Sequence, residues 1–510
     1  MIMNLNTESV KVADTNYGDL RDWLDQVDRL GELTTIRGAD RDLEIPGIWE
    51  IVSREGGGIG PALLFDEIPG FPTGFRILFG QLESVRRLAL TLRLKLNQTD
   101  ILSCVRACRD RLRQMALVPP QKVKDGKILE NVDSGSNVDL YKFPAPKHHE
   151  KDGGRYFGTG HCVISRDPEG GWVNLGTYRC MLFGKQSLGL HMSAGRDGRT
   201  IMNKYFSRGE PYKVAVAIGA DPALSLASTM TVPWGTSEYD FAGGLKGNPI
   251  EVLEGPYTKL PIPASAEIVV EGECRPGETQ LEGPFGEWAG YYANCGLSPV
   301  QEPIIHVKTV LYRSNPIFTG AQPAKPPSDL FSQAIFRSAL IWDEIEKAGV
   351  PEVRGVWCDL AGGTRLFNVV SIRQAYPGHS RQAGMIASQC GSGVYIGRYT
   401  VVVDDDIDVT DLKDVIWAIS TRSDPERSLE VIRRGRSSSA DPAVSPDVKV
   451  TSHNPDNTYT SKAIIDACWP YEWKNRAYPV AQVSPELRSQ IVKKWGTLLK
   501  NGRSVAGSVE

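Results

Sequence analysis

Between about residue 128 and residue 320 the chain reads as strands. The stretches "GHCVISRD", "WVNLGTYRCMLF", "YKVAVAIG", "AEIVVEGE" and "IIHVKTVLYR" alternate in polarity or carry β-branched residues, and Gly and Pro punctuate them. This pattern predicts a mostly antiparallel sheet or barrel, and barrels readily enclose a ligand cavity.

The flanks differ. Residues 18–115 hold amphipathic stretches such as "LRDWLDQVDRLGEL" and "ILSCVRACRDRLRQMAL", alternating with short apolar runs "PALLF" and "FRILFG", which predicts an α/β region. The "GGGIG" at 56–60 lacks the order of a phosphate-binding loop and precedes a strand, so it reads as a connection. A Pro-rich stretch, "GAQPAKPPSD", precedes "LFSQAIFRSALIWDEIEKAG", and strand and helix patterns then alternate to about 436, with a terminal helix near 485–500. The expected fold is α/β and α+β multidomain: a 1–320 region with a central β-barrel at 128–320, a linker at 321–334, an α/β domain at 335–475 and a tail at 476–510.

With 510 residues, 41% of them apolar, the chain can bury a large core. Nothing in a net charge of −3 suggests a polyanion-binding surface, so no nucleic acid partner is expected. No apolar run reaches the roughly 18 residues needed to span a bilayer. The opening "MIMNLNTESVKVADTNYGDL" has no basic segment followed by an apolar one, so a cytoplasmic protein without membrane attachment is expected. Nine scattered cysteines, with Cys104 and Cys108 at helical spacing, read as reduced structural thiols.

Several side chains could carry chemistry. In "LEGPFGEWAGYY", Glu282 and Glu287 flank a Gly-Pro-Phe-Gly turn, with Trp288 and two tyrosines behind. They read either as solvated turn carboxylates or as a proton-handling pair. An Arg between two glutamates could hold one ionised and leave the other to donate a proton. "NLGTYR" puts Asn174 and Arg179 five apart, on opposite faces of a regular strand; they share a site only if Gly176 marks a bulge or sharp twist. Asn174, Asp197 and Glu238 together would make an oxygen-only ligand set suited to Mg²⁺ or Mn²⁺ and could hold a phosphate against the metal. The Asp404–Asp406 run reads as an acidic turn after a strand. The seven histidines, 148, 149, 161, 191, 306, 379 and 453, show no ligand spacing, although His191 is close in sequence to the candidate metal residues.

Taken together, "NLGTYR", "VAVAIGADPA", "SEYDFAGGLKG", "AEIVVEGECRPGETQLEGPFGEWAGYY" and "VVVDDDIDVTDLKDVIWAISTRSDPER" resemble, in order, the blocks of the UbiD family of decarboxylases, which use prenylated flavin mononucleotide. The resemblance implies reversible, non-oxidative decarboxylation of an aromatic or heteroaromatic acid through a covalent bond between substrate and cofactor, with a hydroxylated aromatic acid or an aromatic acyl-coenzyme A thioester among the substrates it allows. It implies that Arg179, Glu282 and Glu287 form the catalytic network, with Glu287 as proton donor. It further implies that Asn174, Thr177, Tyr178, Arg179 and Arg398 bind the cofactor. Asn174, Asp197 and Glu238 would hold Mn²⁺ (or Mg²⁺), with K⁺ beside it. Two positions depart from the family: Asp197 stands where His is usual, and Arg398 where many members carry Lys. A homo-oligomer (a dimer or dimer-based hexamer) and a prenylated-FMN synthase as cofactor supplier are implied partners. A non-catalytic flavin-binding subunit and a flavin-independent metal lyase are the alternatives.

Overall fold

A computed structural model of the chain describes residues 16–193, 195–293, 296–446, 458–473 and 478–504; residues 1–15 and His453 lie outside these. The chain forms a large compact unit ending at Cys468 and a small one from Trp469, which contains the helix Pro485–Ser504. Among the described residues no helix is long and apolar enough to cross a membrane.

The amino-terminal region is α/β, as its periodicity predicts. Asp19 caps the helix Leu20–Arg29, whose Leu20, Trp23, Leu24 and Val27 stripe is buried. The strands Leu33–Arg37, Ala62–Asp66 and Arg76–Phe79 form a sheet whose fourth strand, Ile317–Thr319, arrives in parallel from far along the chain.

The central sheet has nine strands, antiparallel throughout. Its order is Tyr156–Gly158, Cys180–Gly184, Ser187–Gly189, Val300–Tyr312, Ile268–Glu282, Tyr212–Ile218, His161–Arg166 and Val173–Gly176, with Asn131–Ser134 also on Val300–Tyr312. Here one expectation is corrected. "WVNLGTYRCMLF" is two strands, and Val173–Gly176 and Cys180–Gly184 lie toward opposite ends of this order. The chain from Gly176 to Cys180 can span at most about 14 Å. The two ends of the sheet must therefore approach each other, and the sheet curls into a split barrel that Thr177, Tyr178 and Arg179 bridge.

The carboxy-terminal sheet runs Val353–Cys358, Phe367–Ile372, Tyr399–Asp404, Tyr459–Ala467, Leu429–Arg436, with parallel pairing at its centre. The strands Phe367–Ile372 and Tyr399–Asp404 are mostly buried, and the helices Phe331–Lys347, His379–Gln389 and Leu412–Arg422 pack on the sheet. The helix Phe331–Lys347 opens inside the 321–334 stretch. The strand Tyr459–Ala467 lies beyond 436, where the alternating strand and helix patterns of the sequence end. Cys104 and Cys108 face the core from the helix Ile101–Gln114, and all eight described cysteines are free.

Candidate active site

The crossing segment resolves the spacing of Asn174 and Arg179. The strand stops at Gly176, where a Cβ would sit 2.3 Å from Tyr178 Cζ, so only glycine lets that ring fold back. The two side chains then leave the segment toward different groups.

Arg179 reaches the Gly-Pro-Phe-Gly turn. Its Nε and Nη2 donate to the two oxygens of Glu282 at 2.9 and 2.8 Å, and Nη1 donates to Glu287 Oε1 at 2.5 Å. Glu282 ends the long strand Ile268–Glu282 and is fully buried; Tyr156 Oη donates to it at 3.0 Å. The turn beyond it depends on Gly283 at φ 86°, in the left-handed region. Gly153 packs against this turn so closely that a Cβ there would lie 1.8 Å from Gly283 O. Buried Asp152 accepts from Gly286 N–H and Tyr292 Oη at 3.2 and 3.0 Å, which fixes the rest of the turn and leaves Glu287 facing a cavity.

Burial would raise the Glu282 carboxyl, but the Arg179 charge and its paired hydrogen bonds outweigh this and hold it below the usual range. Burial works against the Arg179 charge, yet the two carboxylates raise it above its ordinary value. The Tyr156 phenol is pushed up by burial and then by Glu282. Phe285 lies under the guanidinium, 4.9 Å from its carbon, and Trp288 lines the cavity with its ring against the Gly363 backbone. Tyr291, by contrast, is exposed.

The cavity is about 350 Å³, lined by Thr177, Arg179, His191, Phe285, Glu287 and Trp288 among others. A second cavity of about 420 Å³ is lined by Asn174, Asp197 and Glu238 with Arg337 and Arg436. Tyr178, Arg196, Thr229, Gln333, Arg365 and Tyr395 border both. Asn174 donates to Glu238 Oε1 at 3.2 Å, and Glu238 Oε2 accepts from Leu175 N–H at 2.7 Å. Tyr178 Oη donates to Asn174 Oδ1 at 3.2 Å, so the crossing segment also orients this group. Burial raises Glu238 to about 8 and pushes Asp197 up as well. Burial, together with Arg337, lowers Arg365 to about 9.

Among the described residues no three His, Cys, Asp or Glu side chains stand together as a metal cage; the candidate set is two carboxylates and one amide. That set still fits a hard divalent cation. Its donors are all oxygens, and Glu238 is buried with no cation on it among the described residues. Arg196, Arg337 and Arg365 beside it suit a phosphate.

Arg398 borders neither cavity. It pairs with buried Asp441 at 2.5 and 2.7 Å, and the neighbouring Ser438 and Ala440 line the first cavity. Asp404 and Asp406 pair with Arg422 and Asp405 with Arg373, so that run is an acidic turn. His191 lines the cavity of Arg179, and the donor set of Asn174, Asp197 and Glu238 stands without it. Tyr156, Asp152, Glu302 and Arg365 carried no signal in local spacing; strand pairing or chain return brings each to the site.

The 3-octaprenyl-4-hydroxybenzoate carboxy-lyase family models match three successive parts of the chain: the N-terminal domain at 24–103, the Rift-related domain at 121–326 and the C-terminal domain at 331–467. An uncharacterised protein of Aquifex aeolicus is 30% identical over 507 residues, covering 94% of this chain and 99% of that protein. The UbiD-class enzyme HmfF from Pelotomaculum thermopropionicum, solved with FMN, is 27% identical with a TM-score of 0.79, over 92% of this chain and 98% of that one. An evolved dimeric form of HmfF, solved with prenylated FMN, has a TM-score of 0.77 at the same identity and coverage. The 3,4-dihydroxybenzoic acid decarboxylase from Enterobacter cloacae is 25% identical with a TM-score of 0.78, over 93% and 99%. Three family models in order over most of the chain, a full-length relative and the shared fold establish that this chain belongs to the UbiD family of carboxy-lyases.

Proposed function

We propose that the protein reversibly decarboxylates an aromatic or heteroaromatic carboxylic acid, with Glu287 as proton donor. The observation that carries this reading is the Arg179 guanidinium bridging Glu282 and Glu287 at the wall of a cavity of about 350 Å³. Loss of CO₂ from an sp² carbon leaves an electron pair that no side chain can delocalise; prenylated FMN, when bound, supplies that sink. The chain's own residues do the rest. Glu282, held ionised by three donors, anchors Arg179. Arg179 orients the substrate carboxylate, and Phe285 and Trp288 exclude water. Glu287 gives its proton to the carbon that lost CO₂.

Asn174, Asp197 and Glu238 would hold Mn²⁺ or Mg²⁺ at the phosphate end of the cofactor, with K⁺ nearby. Thr177, Tyr178, Arg196 and Arg365, which line the cavity, would border the cofactor. Arg398 would act through Asp441 by fixing the 438–441 loop. Hydroxylated aromatic acids suit a cavity with this many polar groups. A cytoplasmic homo-oligomer, supplied by a prenylated-FMN synthase, completes the reading.

Glu287→Gln is expected to lower kcat by at least about 10²-fold while flavin absorbance in protein co-produced with the synthase stays unchanged. Full activity in cofactor-loaded Glu287→Gln would overturn the donor assignment. Decarboxylation by protein made without the synthase would favour a flavin-independent metal lyase.

A further inference from the structure

Each CO₂ released from a carboxylate consumes one proton. Glu287 must therefore be recharged after every turnover, inside a cavity walled by aromatic rings. A second proton-handling pair stands beside the Arg179 bridge. Leu190 N–H donates to Pro303 O at 3.0 Å, fastening the end of the Ser187–Gly189 strand to Val300–Tyr312. The next amide, His191 N–H, donates to Arg179 O at 3.0 Å. The imidazole then places Nδ1 2.7 Å from Glu302 Oε1. Glu302 lies opposite Gln280 in the register that sets Glu282 opposite Val300, so 302 and 282 project from the same face of the ladder.

Glu302 is 1% exposed, and its second oxygen is buried with no hydrogen-bond partner among the described residues. A buried carboxylate left half-satisfied is costly, and such a group calls for an explanation beyond packing. A carboxylate on one imidazole nitrogen fixes the ring and its tautomer and makes the other nitrogen more basic. His191 lines the same cavity as Glu287. The other charged or titratable groups here are Arg179, Glu282, Tyr156, His161 and Tyr178 on the barrel side, and Arg196, Arg365, Tyr395, Glu83 and Asp329 around the rest of the cavity.

We propose that His191, held by Glu302, relays the proton that recharges Glu287. In decarboxylation the substrate carbon takes the Glu287 proton as CO₂ leaves. The Glu287 carboxylate then takes a proton from the His191 imidazolium, directly or through one water, and neutral His191 takes one from solvent. One solvent proton is consumed per CO₂, and carboxylation runs the sequence backwards. His191 acts through Glu287 and Glu302 acts through His191, so both are positioning residues.

This rests on the decarboxylase reading, and the test separates the two. In cofactor-loaded His191→Ala, the single-turnover rate is expected within twofold of wild type while steady-state kcat falls at least tenfold. Added imidazole should restore kcat but not change the single turnover. Glu302→Gln, which is nearly isosteric, should show the same split without imidazole rescue. Single-turnover and steady-state rates falling together, or kcat unchanged in both variants, would overturn the relay. Nitrogen-15 spectra of His-labelled protein need no turnover: the Nδ1-protonated ring expected in wild type should be lost in Glu302→Leu, which removes the acceptor. If that signature holds while wild type releases no CO₂ from any aromatic acid, the pair stands and the reaction reading fails; an unchanged signature overturns the pair itself.

Discussion

Glu282 and Glu287 are five residues apart, and their surroundings differ completely. Glu282 takes three hydrogen bonds in a fully buried position, whereas Glu287 takes one Arg179 nitrogen and faces open space. Tyr156→Phe removes one donor from a buried carboxylate and should cost about 1.5–3 kcal/mol at pH 7, read by denaturant melts. Glu282 is lowered from 4.5, so its stabilisation is complete above that pH and is lost as pH falls through its lower folded value. The Tyr156→Phe deficit should therefore shrink in acid. Glu238 behaves in the opposite sense. Raised from 4.5 to about 8, it favours the folded state at low pH, and that stability is lost as pH rises through this window. A divalent cation would reverse this, because it must displace the proton. The gain in Tm on adding Mn²⁺ after chelation should thus be larger at pH 8 than at pH 6, and absent in Glu238→Gln. An equal gain in Glu238→Gln would remove Glu238 from the ligand set.

At the scale of elements, two short segments aim the site: the 177–179 crossing and the 283–290 turn. The turn is held from behind by the 152–153 backbone. Gly153→Ala would force a Cβ into Gly283 O, and the chain must move to admit it. The expected outcome is about 1–3 kcal/mol of destabilisation with a drop in kcat larger than any change in bound flavin; unfolding curves and steady-state kinetics with cofactor counting check both. These elements also mark where local reading ended. "LRDWLDQVDRLGEL" was legible as a helix and "EGPFGE" as a turn, because helical periodicity and glycine chemistry act within a few residues. The break of "WVNLGTYRCMLF" was not legible, since a strand crossing a barrel's split has the same alternation as a continuous one. The strand Tyr459–Ala467 was missed for a similar reason. Its place in the mixed sheet is set by pairing with Tyr399–Asp404, far earlier in the chain, on one side and with Leu429–Arg436 on the other.

For the whole molecule, one buried pair ties regions far apart in sequence. Glu83 accepts from Phe331 N–H at the start of the long helix, and Asp329 accepts from Trp49 Nε1 and Gln322 N–H, each at 2.7 Å. Burial raises both carboxyls, Asp329 to about 7, and Asp329 adds to the rise of Glu83. Groups raised in this way favour the folded state when protonated, so stability should fall as pH rises from 6 to 8. Asp329→Asn should flatten that fall, as thermal melts across the range would show; an unchanged slope would place the titration elsewhere. The sequence alone determined that the central region is a strand-rich, cavity-forming fold between two α/β regions. It also determined, through five motifs in order, which family the chain joins, because periodicity, capping and motif spacing are local or collinear properties. Only the tertiary structure decided that the sheet curls into a split barrel and that Arg179 takes both glutamates while Asn174 turns away to Glu238. It also decided that Arg398 is spent on Asp441 and that His191 stands with Glu302. Strand order and register are set by contacts between distant residues, and no spacing along the chain records them.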